Sequence, residues 1–452
     1  MKPFTLADAA RAVGGVYRGS EAALDSRITY VTSDSRTAGS GALFVAFTGN
    51  RVDGHDFMAG CLARGAVACV SEREPEEGET PCLVVDSTLR AEGALAAWHR
   101  SRFDIPVIGV TGSVGKTTTK EMIAAVLAVK YNTHKTQKNF NNELGVPQTL
   151  LTLGDEHQVS VVEMGISDFG EMRRLTHMVR PTIAVFSVIG DAHLEFLGDR
   201  AGVLRAKSEI FEGMDESGLA VLNGDDPLLA ACEPGMRRIT YGCSEGCDVR
   251  AEDVRDLGED GIRLTVRHAG GAFEALIPAF GSHMVYAALA AAAVGLELGL
   301  TGGEIARGIA EYHTVGDRAR VIHAPEYTVV SDCYNANPNS CRAALDSLAG
   351  LPGRRVCVLG DMLELGGQSP RLHAEVGAYA AKRGIELIVG CGPLARHIVD
   401  GARAAGGEAL YFADKAALLD ALDGLIRPGD SVLVKASRSM AFEAIVERLT
   451  GQ

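Results

Sequence analysis

The sequence predicts an α/β protein of three domains, whose central domain is a doubly wound, mostly parallel sheet. Three observations lead to this prediction. Short apolar runs that end in glycine or polar residues alternate with helical patterns along most of the chain. The 452 residues correspond to about three domains of ordinary size. The stretch GVTGSVGKTTTK at residues 109–120 joins a β-branched strand to a helix through a glycine-rich turn, which is typical of a phosphate-binding loop.

The central, P-loop domain is expected at residues 105–314. Its predicted strands are short apolar runs, and they lie at 106–110, 159–164, 182–189 and 218–223. The segment 247–279 alternates in polarity and contains glycine turns, which predicts a small antiparallel insertion. A short helix is predicted at 204–214 and an alanine-rich helix at 284–299.

The two outer domains are also expected to be α/β units. The first, residues 1–104, is small; it has a predicted helix at 6–13 and a buried strand, ALFVAF, at 42–47. The last, residues 315–452, is Rossmann-like, because four apolar runs alternate in it with helical patterns. Those runs lie at 327–333, 355–360, 387–392 and 431–437.

Composition and charge exclude some functional classes. The net charge of −14 argues against a nucleic-acid partner, since phosphate backbones require basic faces. Residues 1–11 do not resemble a signal peptide, and the alanine-rich helix contains Glu297, so we expect no membrane insertion. The ten cysteines lack paired CxxC spacing, which favours free thiols in a reducing cytoplasm. We expect a cytoplasmic monomer.

The glycine-rich turn supplies the candidate phosphate ligands. Glycines let backbone N–H groups approach phosphate oxygens, Lys116 supplies a positive charge, and the Thr117 hydroxyl suits Mg²⁺. The strict GxxxxGK[ST] pattern fails at one position, where Val110 replaces the first glycine. The alternative is a strand, turn and helix that carry a lysine by chance. The candidate ATP-binding residues of the loop are Gly112, Ser113, Val114, Gly115, Lys116, Thr117 and Thr118.

Polar residues that follow the next strands are candidates for the metal and the chemistry. Glu163 ends the run VSVVE, and Asp191 and His193 follow the run at 182–189. In an open α/β sheet these positions share the edge at which ligands bind. Lys207 lies in the predicted short helix. The alternatives are a surface glutamate, a structural histidine and a solvated lysine.

Several motifs together resemble the ATP-dependent Mur ligases of peptidoglycan synthesis. In the central domain these are VTGSVGKTTTKEM, NFNNELGVPQTLL, VVEMG, DAHLEFLG, RAKSEIF and VLNGDDP. SDCYNANPNS, VLGDMLELG and LVKASRSM in the last domain, with SDSR and GALFVAFTGNRVDGHDF in the first, are similar to the branch that adds D-alanyl-D-alanine to UDP-N-acetylmuramoyl-tripeptide. The resemblance spans residues from about 31 to 450.

The resemblance implies a reaction and its cofactors. ATP phosphorylates a substrate carboxylate, and an amine attacks the acyl phosphate to form an amide. Thr117 and Glu163 would serve one Mg²⁺, and His193 with a carbamylated Lys207 would serve a second. Carbamylation would turn an ammonium into an oxygen ligand, which hard Mg²⁺ prefers.

The resemblance also assigns further ligand residues. Asn142, Asn223, Arg318 and Asp332 would bind ATP, with Arg318 offsetting charge on the transferred phosphoryl group. The substrate-binding residues would be Ser35 and Arg36 for the uridine diphosphate, and Lys435, Ser437 and Arg438 for the dipeptide or the acyl phosphate. Tyr334, Asn335 and Asn337 would also bind substrate. The Asn residues are equally typical of turns and helix caps.

One departure from the family pattern leaves other functions open. After the strand IPAF the family carries a His-Asn pair and a second Asn, whereas this chain has His283, Met284 and Ala287. A ligase of the wider superfamily, of the folylpolyglutamate or cyanophycin type, would not explain the first domain. A catalytically silent binding protein would not need Lys116, Glu163, His193 and Lys207 together.

Overall fold

The fold was determined as a computed structural model that describes residues 1–49, 52–314 and 319–451. Within these residues the strands form four sheets, three of which correspond to the three predicted α/β units. The α/β class and the multi-domain organisation are therefore confirmed. None of the helices in the described ranges is long and apolar enough to cross a membrane.

The first unit is a five-stranded sheet with helices on its faces. Its elements in chain order are β1 (Phe4–Thr5), α1 (Leu6–Val13), β2 (Val16–Arg18), β3 (Arg27–Ile28), β4 (Tyr30–Thr32), β5 (Ala42–Val45), α2 (Met58–Ala63), β6 (Ala68–Ser71), β7 (Cys82–Val84) and α3 (Thr88–Arg100). The sheet order is β2-β7-β6-β5-β4, parallel except at β2, and β1 pairs separately with β3. The predicted helix at 6–13 is α1, because Thr5 caps it in a capping box with Asp8 and Gly14, at φ 67°, ends it.

The central unit contains the longest sheet of the described residues. Its elements are β8 (Val107–Thr111), α4 (Lys116–Ala128), β9 (Thr133–Lys135), α5 (Gly145–Leu150), β10 (Val159–Glu163), α6 (Glu171–Val179), β11 (Ile183–Phe186), α7 (Leu194–Leu197), α8 (Arg200–Ser208), β12 (Leu219–Asn223), α9 (Pro227–Ala230), β13 (Arg237–Gly242), β14 (Val249–Asp256), β15 (Ile262–His268), β16 (Gly271–Ile277), α10 (Met284–Glu297) and α11 (Gly302–Ala310). The order is β16-β15-β14-β13-β12-β11-β8-β10-β9.

The predicted antiparallel insertion is not a separate sheet. β14, β15 and β16 pair antiparallel with one another, as expected, but β14 also pairs in parallel with β13. The three strands thus extend the parallel sheet at one edge. Their buried side chains, including Leu264 and Val266, join the core on the α10 face of the central sheet.

Two predicted elements of the central unit differ in extent. The strand at 182–189 ends at Phe186, because the next residue turns toward the phosphate loop, where Ser187 Oγ donates to Val114 O at 2.5 Å. The helix predicted at 204–214 begins earlier, at Arg200, because the Asp199 carboxylate accepts the Gly202 N–H at 2.7 Å. It gives way to a 3₁₀ turn after Ser208.

The last unit is a six-stranded sheet. Its elements are β17 (Arg320–His323), β18 (Thr328–Ser331), α12 (Pro338–Ala349), β19 (Arg355–Gly360), α13 (Ser369–Lys382), β20 (Leu387–Cys391), α14 (Ala395–Ala404), β21 (Ala409–Phe412), α15 (Lys415–Leu425), β22 (Ser431–Lys435) and α16 (Glu443–Thr450). The order is β17-β18-β22-β19-β20-β21, parallel except at the edge strand β17.

The order of the central strands creates the crevice that holds the site. β8 lies between β10 and β11, so the connections after β8 and β10 leave the sheet in opposite directions. In such sheets ligands bind beyond the carboxyl ends of the strands at the switch point. The loops after β8, β10, β11 and β12 meet there, and the carboxyl ends of β18 and β22 face them across a cavity.

Candidate active site

The phosphate loop is the turn between β8 and α4. Gly112 has φ 140°, and a Cβ built on it would lie 2.0 Å from Ser187 Oγ, so the turn excludes a side chain here. Gly115, at φ 80°, precedes the first residue of α4. The Lys116 ammonium donates to Gly112 O at 2.8 Å, across the mouth of the loop.

The two residues proposed to bind Mg²⁺, Thr117 and Glu163, contact each other at the end of β10. Thr117 Oγ1 donates to Glu163 Oε2 at 2.8 Å, and Asn141 Nδ2 donates to Glu163 Oε1 at 2.7 Å. Both Thr117 and Glu163 are buried, at 4% and 1% exposed. The hydroxyl and carboxylate oxygens are the hard donors that Mg²⁺ takes.

A buried lysine, Lys120, stabilises the segment that contacts the backbone of Glu163. The Glu163 N–H donates to Thr136 Oγ1 at 3.0 Å, and the Lys120 ammonium donates to Thr136 O at 2.8 Å. Lys120 is fully buried and also forms an ion pair with Glu121 at 2.6 Å. The segment after β9 is therefore fixed against the base of the phosphate loop.

His193 belongs to the same edge of the sheet and contacts the last unit. It precedes α7 in a left-handed conformation, at φ 55°. Its Nδ1 lies 2.6 Å from Glu364 Oε2. The close approach of His193 holds the pKa of the Glu364 carboxyl below its usual range. Asp191, two residues before His193 in the same loop, donates its N–H to Asn339 Oδ1 at 2.9 Å.

Lys207 lies in α8. It is 1% exposed. Burial, and then the positive charge of Lys116, lowers the pKa of the Lys207 ammonium well below its ordinary value, and Glu171 acts weakly in the opposite direction. An ammonium at this position is poorly stabilised, because burial disfavours the charged form.

The remaining predicted ATP residues of the central unit have structural contacts as well. Asn142 Oδ1 accepts the Gly145 N–H at 3.0 Å, which is the cap that the sequence left open as an alternative. Asn223 Nδ2 donates to Ser187 O at 2.9 Å. Ser113 Oγ accepts the Gly190 N–H at 2.9 Å. The Asn223 bond joins the end of β12 to the loop after β11, and the Ser113 bond joins that loop to the phosphate loop.

The last unit places a charged pair opposite the phosphate loop. The Lys435 ammonium, 2% exposed, lies 2.5 Å from Asp332 Oδ2 and donates to Asn335 O at 2.9 Å. Asn337 caps α12, because its Oδ1 accepts the Ser340 N–H at 2.9 Å. The carboxyl ends of β18 and β22 are thus held together by the pair.

Three other predicted residues of this unit lie to one side. The Arg438 guanidinium lies 5.8 Å from the centre of the Tyr334 ring and pairs with Glu443. Ser437 Oγ accepts the Leu363 N–H at 3.0 Å. Tyr334 lines the cavity described below, but Ser437 and Arg438 are not among the described residues that line it.

The structure does not bring Ser35 and Arg36 to this cavity. Ser35 and Arg36 lie in the first unit, where Arg36 pairs with Asp34 at 2.7 Å and Ser35 O accepts a bond from Arg64. Arg318 lies outside the described residues, so its position is not part of the site geometry.

The cavity between the central and last units has a volume of about 750 Å³. Most of the predicted residues line it. They are Ser113, Val114, Gly115, Lys116, Thr117, Thr118, Asn142, Glu163, His193, Asn223, Asp332, Tyr334, Asn335, Asn337 and Lys435. Gly112 and Lys207 are not among the described residues that line it.

Sequence reasoning missed some residues of the site. Asn141 contacts Glu163 directly, and the doubled asparagine in NFNNELG was a signal that pointed to either position. Glu171 lines the cavity and its Oε2 accepts the Ser167 N–H at 2.7 Å. Glu364 lies in the quoted motif VLGDMLELG, but no pattern in the sequence indicated its contact with His193. Met284 and Ala287, which replace the family's asparagines, also line the cavity.

Three family models match the chain. Residues 27–125 match the Mur ligase family catalytic domain, residues 110–295 match the Mur ligase middle domain, and residues 317–438 match the Mur ligase glutamate ligase domain. The chain is 38% identical to the UDP-N-acetylmuramoyl-tripeptide--D-alanyl-D-alanine ligase of Escherichia coli (strain K12), over 98% of both chains. It is 36% identical to the enzyme of that name from Bacillus subtilis (strain 168), over 93% and 92% of the two chains.

Solved structures agree with these relatives. MurF from Acinetobacter baumannii superposes with a TM-score of 0.92 at 33% identity, covering 100% of both chains. MurF ligase from Thermotoga maritima in complex with ADP gives 0.82 at 29% identity, covering 93% of this chain and 97% of the other. The folylpolyglutamate synthase of Mycobacterium tuberculosis, at 17% identity and a TM-score of 0.61, shares the fold alone.

Proposed function

The chain belongs to the Mur ligase family, and we infer from this premise that it is an ATP-dependent ligase of peptidoglycan precursor synthesis. It joins D-alanyl-D-alanine to UDP-N-acetylmuramoyl-tripeptide and releases ADP and phosphate. The observation that carries this inference is the 38% identity, over 98% of both chains, to a ligase of that name. The cavity supports it, because a phosphate loop and a charged pair from a second unit face each other across a common space.

The proposed reaction has two steps. A carboxylate oxygen of the tripeptide bonds to the γ-phosphorus of ATP while the bond to the ADP oxygen breaks, which gives an acyl phosphate. The amine of D-alanyl-D-alanine then bonds to the acyl carbon, phosphate leaves with its oxygen, and the amine loses a proton. Lys116 and the loop N–H groups bind the phosphates. Asp332, and Arg318 by family resemblance, bind ATP from the last unit.

The residues present fit one Mg²⁺ without modification. Thr117 Oγ1 and Glu163 Oε2 lie 2.8 Å apart at the base of the phosphate loop, and both donors are oxygens. Mg²⁺ bound there would reduce the repulsion between the triphosphate and the substrate carboxylate. Within the described residues, no group of three or more histidine, cysteine or acidic side chains forms a ready-made metal site.

A second Mg²⁺ would require a change at Lys207. His193 lines the cavity, whereas an unmodified Lys207 ammonium would repel a cation. We propose that Lys207 reacts as the neutral amine with CO₂, losing a proton and gaining a carboxylate. Burial disfavours the ammonium and so supports the neutral amine that would react, and the positive charge of Lys116 would favour an anion at this position.

The substrates would contact two sets of residues, one in the first unit and one in the last unit. We propose that Ser35 and Arg36 contact the uridine diphosphate, and that Lys435, Ser437 and Arg438 contact the dipeptide or the acyl phosphate. Tyr334, Asn335 and Asn337, which surround the carboxyl end of β18, complete the second contact surface. We also propose that the units 1–104, 105–314 and 315–452 are domains, and that the enzyme acts as a cytoplasmic monomer.

The test is the dependence of ATP hydrolysis on both substrates. We expect the wild-type protein to release ADP when UDP-N-acetylmuramoyl-tripeptide and D-alanyl-D-alanine are both present, and to release little with either alone. Lys116→Ala is expected to lower the rate by about 10²–10³, because a preorganised charge contact is lost. Its melting temperature without ligand should stay close to that of wild type.

The same assay tests the proposed role of Lys207. Lys207→Ala should be nearly inactive, and acetate should restore part of the rate, because a small carboxylate can occupy the vacated oxygen positions. Chloride should not. Equal activation by both anions would exclude the carbamate. A rate of ATP hydrolysis that does not depend on the two substrates would exclude the proposed ligase activity. Binding of the substrates without any ATP hydrolysis would indicate a catalytically silent binding protein.

A further inference from the structure

The order of the central strands indicates the direction in which a bound nucleotide extends. The phosphate loop follows β8, and Glu163 ends β10 on one side of it. On the other side lie β11 and then β12, so that two strand spacings, about 10 Å, separate the ends of β8 and β12. A triphosphate whose γ end faces Glu163 therefore directs its nucleoside toward the end of β12.

The start of α10 lies at this end of the cavity. α10 packs on β12 and β13, and the Tyr286 hydroxyl in its first turn contacts Asp225, which follows β12. Met284 and Ala287, each 4% exposed, line the cavity beside Tyr286, as does Phe280. Their apolar surfaces suit the faces of a planar base. Apolar contacts of this kind hold a base without distinguishing one purine from another.

The hydroxyl of Tyr286 is fixed by a carboxylate. It donates to Asp225 Oδ2 at 3.1 Å, and Asp225 also accepts the Cys243 N–H at 2.6 Å and the Ser244 N–H at 3.1 Å. Burial raises the pKa of Tyr286, so the hydroxyl keeps its proton near neutral pH. Tyr286 and Asp225 both line the cavity.

The direction of this hydrogen bond determines what the pair offers to a base. A carboxylate only accepts hydrogen bonds, so the single proton of Tyr286 is used by Asp225 and the phenolic oxygen has only lone pairs left. The Cys243 thiol, a weak donor beside the same oxygen, can use one of these lone pairs. The pair therefore accepts a hydrogen bond from a base and donates none.

We propose that Tyr286 determines base selection, because its oxygen accepts a hydrogen bond from the 6-amino group of adenine and disfavours a purine with a 6-carbonyl group. The inference rests on the proposed function, in which ATP is the phosphoryl donor. A 6-carbonyl oxygen would either face another acceptor or take the Tyr286 proton away from Asp225, and both arrangements leave an acceptor without its donor. Asp225 is the positioning residue, since it fixes the direction of the Tyr286 proton.

The alternative is a structural contact that joins α10 to the loop around Cys243 and Ser244. Loss of such a contact would weaken the binding of every purine nucleotide alike, whereas loss of base selection changes the ratio between them. Tyr286→Phe removes the hydroxyl and keeps the ring. Tyr131→Phe is the matched control, because the Tyr131 hydroxyl donates to Leu298 O at 2.6 Å, at the opposite end of α10.

The experiment is a calorimetric titration with three diphosphates, which bind without turnover. They are ADP, IDP with its 6-carbonyl group, and purine riboside diphosphate, which has no group at position 6. We expect wild type to bind ADP about 10–100-fold more tightly than IDP and about 3–10-fold more tightly than the unsubstituted analogue. In Tyr286→Phe the three affinities should converge to within about threefold, whereas Tyr131→Phe should keep the wild-type ratios within a factor of about two.

Each result separates base selection from the ligase reaction. Wild-type protein that binds ADP and IDP equally would overturn the proposal and leave the ligase reaction standing. An ADP-to-IDP ratio that is unchanged in Tyr286→Phe would also overturn it, because the hydroxyl would then be a structural contact. Protein that binds none of the three nucleotides would count against both this proposal and the proposed use of ATP. The comparison on wild type requires no variant, so it decides the matter even if Tyr286→Phe does not fold.

Discussion

Glu92 has a carboxyl group that is buried without a hydrogen-bond partner among the described residues. It lies in α3 and is 1% exposed. Neither of its carboxyl oxygens has a hydrogen-bond partner among the described residues. Burial raises the pKa of Glu92 to about 8. The side chain therefore stays protonated near neutral pH, because an unpaired charge in the interior is far more costly than a neutral acid.

This residue makes stability depend on pH. Its pKa is about 8 in the folded state, whereas an ordinary glutamate has a pKa of 4.5. The stability that the fold gains by keeping Glu92 neutral is therefore fully present below pH 4.5 and is lost as the pH rises toward 8. The loss amounts to about 1.4 kcal/mol per pH unit. Glu92→Gln should remove this slope, so that the free energy of unfolding of wild type falls relative to the variant between about pH 6 and pH 8.

Denaturant titrations at a series of pH values measure the difference. Glu92→Leu serves as the second variant, because it carries no titratable group and no unpaired amide. Both variants should give parallel curves, and above pH 8 the difference from wild type should become constant. Wild-type and variant curves that stay parallel throughout would show that Glu92 is ionised in the fold.

At the scale of elements, the helix that carries Lys116 is held by close helix packing. α4 packs against α10 and α11 on one face of the central sheet. Gly308 of α11 lies against Val126 of α4, and a Cβ added to the glycine would lie 2.4 Å from Val126 Cα. The backbones of the two helices are therefore in contact at this point, which is possible only because glycine has no side chain.

Gly308→Ala should therefore separate the two helices. We expect the free energy of unfolding to fall by about 1–3 kcal/mol, as for other overpacked sites. Gly303→Ala is the matched control, because it lies in the same helix with open space around its position; it should be neutral or slightly stabilising. Calorimetric melting of both variants decides the matter, and equal melting temperatures would contradict the packing argument.

At the scale of the whole molecule, hydrogen bonds and a shared hydrophobic core join the first unit to the central unit. Lys2 N–H donates to Leu153 O at 2.9 Å, His99 Nε2 lies 3.0 Å from the same oxygen, and Arg100 Nε donates to Val179 O at 3.0 Å. Buried side chains of all three units belong to one continuous hydrophobic cluster. α3 packs against both the first unit and the helices α5 and α6 of the central unit.

A chain that starts at residue 105 should consequently be unstable, although the sequence suggested a natural boundary there. Removing α3 would expose apolar side chains of α5 and α6, which include Leu150 and Leu175. A chain that starts at residue 86 keeps α3 and should melt at a clearly higher temperature and bind less of an apolar dye. Equal melting of the two truncated proteins would show that α3 adds nothing to the central unit.

The sequence by itself determined the local features. Capping residues, glycines and apolar runs are signals between near neighbours, so α1, the phosphate loop and the strands β5, β8, β10 and β19 were predicted within a few residues. The phosphate loop, Glu163 and His193 were predicted to share one site because each follows a predicted strand, and parallel strands bring their carboxyl ends to one edge. The family motifs added Asp332 and Lys435, which the structure places across the same cavity.

Only the tertiary structure decided the contacts between units. Asn141 rather than Asn142 contacts Glu163, Lys120 supports Thr136, and Glu364 contacts His193, because these partners depend on how distant segments dock. The antiparallel strands β14, β15 and β16 extend the central sheet for the same reason. The exposed edge of a sheet can pair with any strand that tertiary packing places beside it. Local patterns encode elements and their ends, whereas packing across units fixes which side chains meet, and no periodicity in the sequence records that choice.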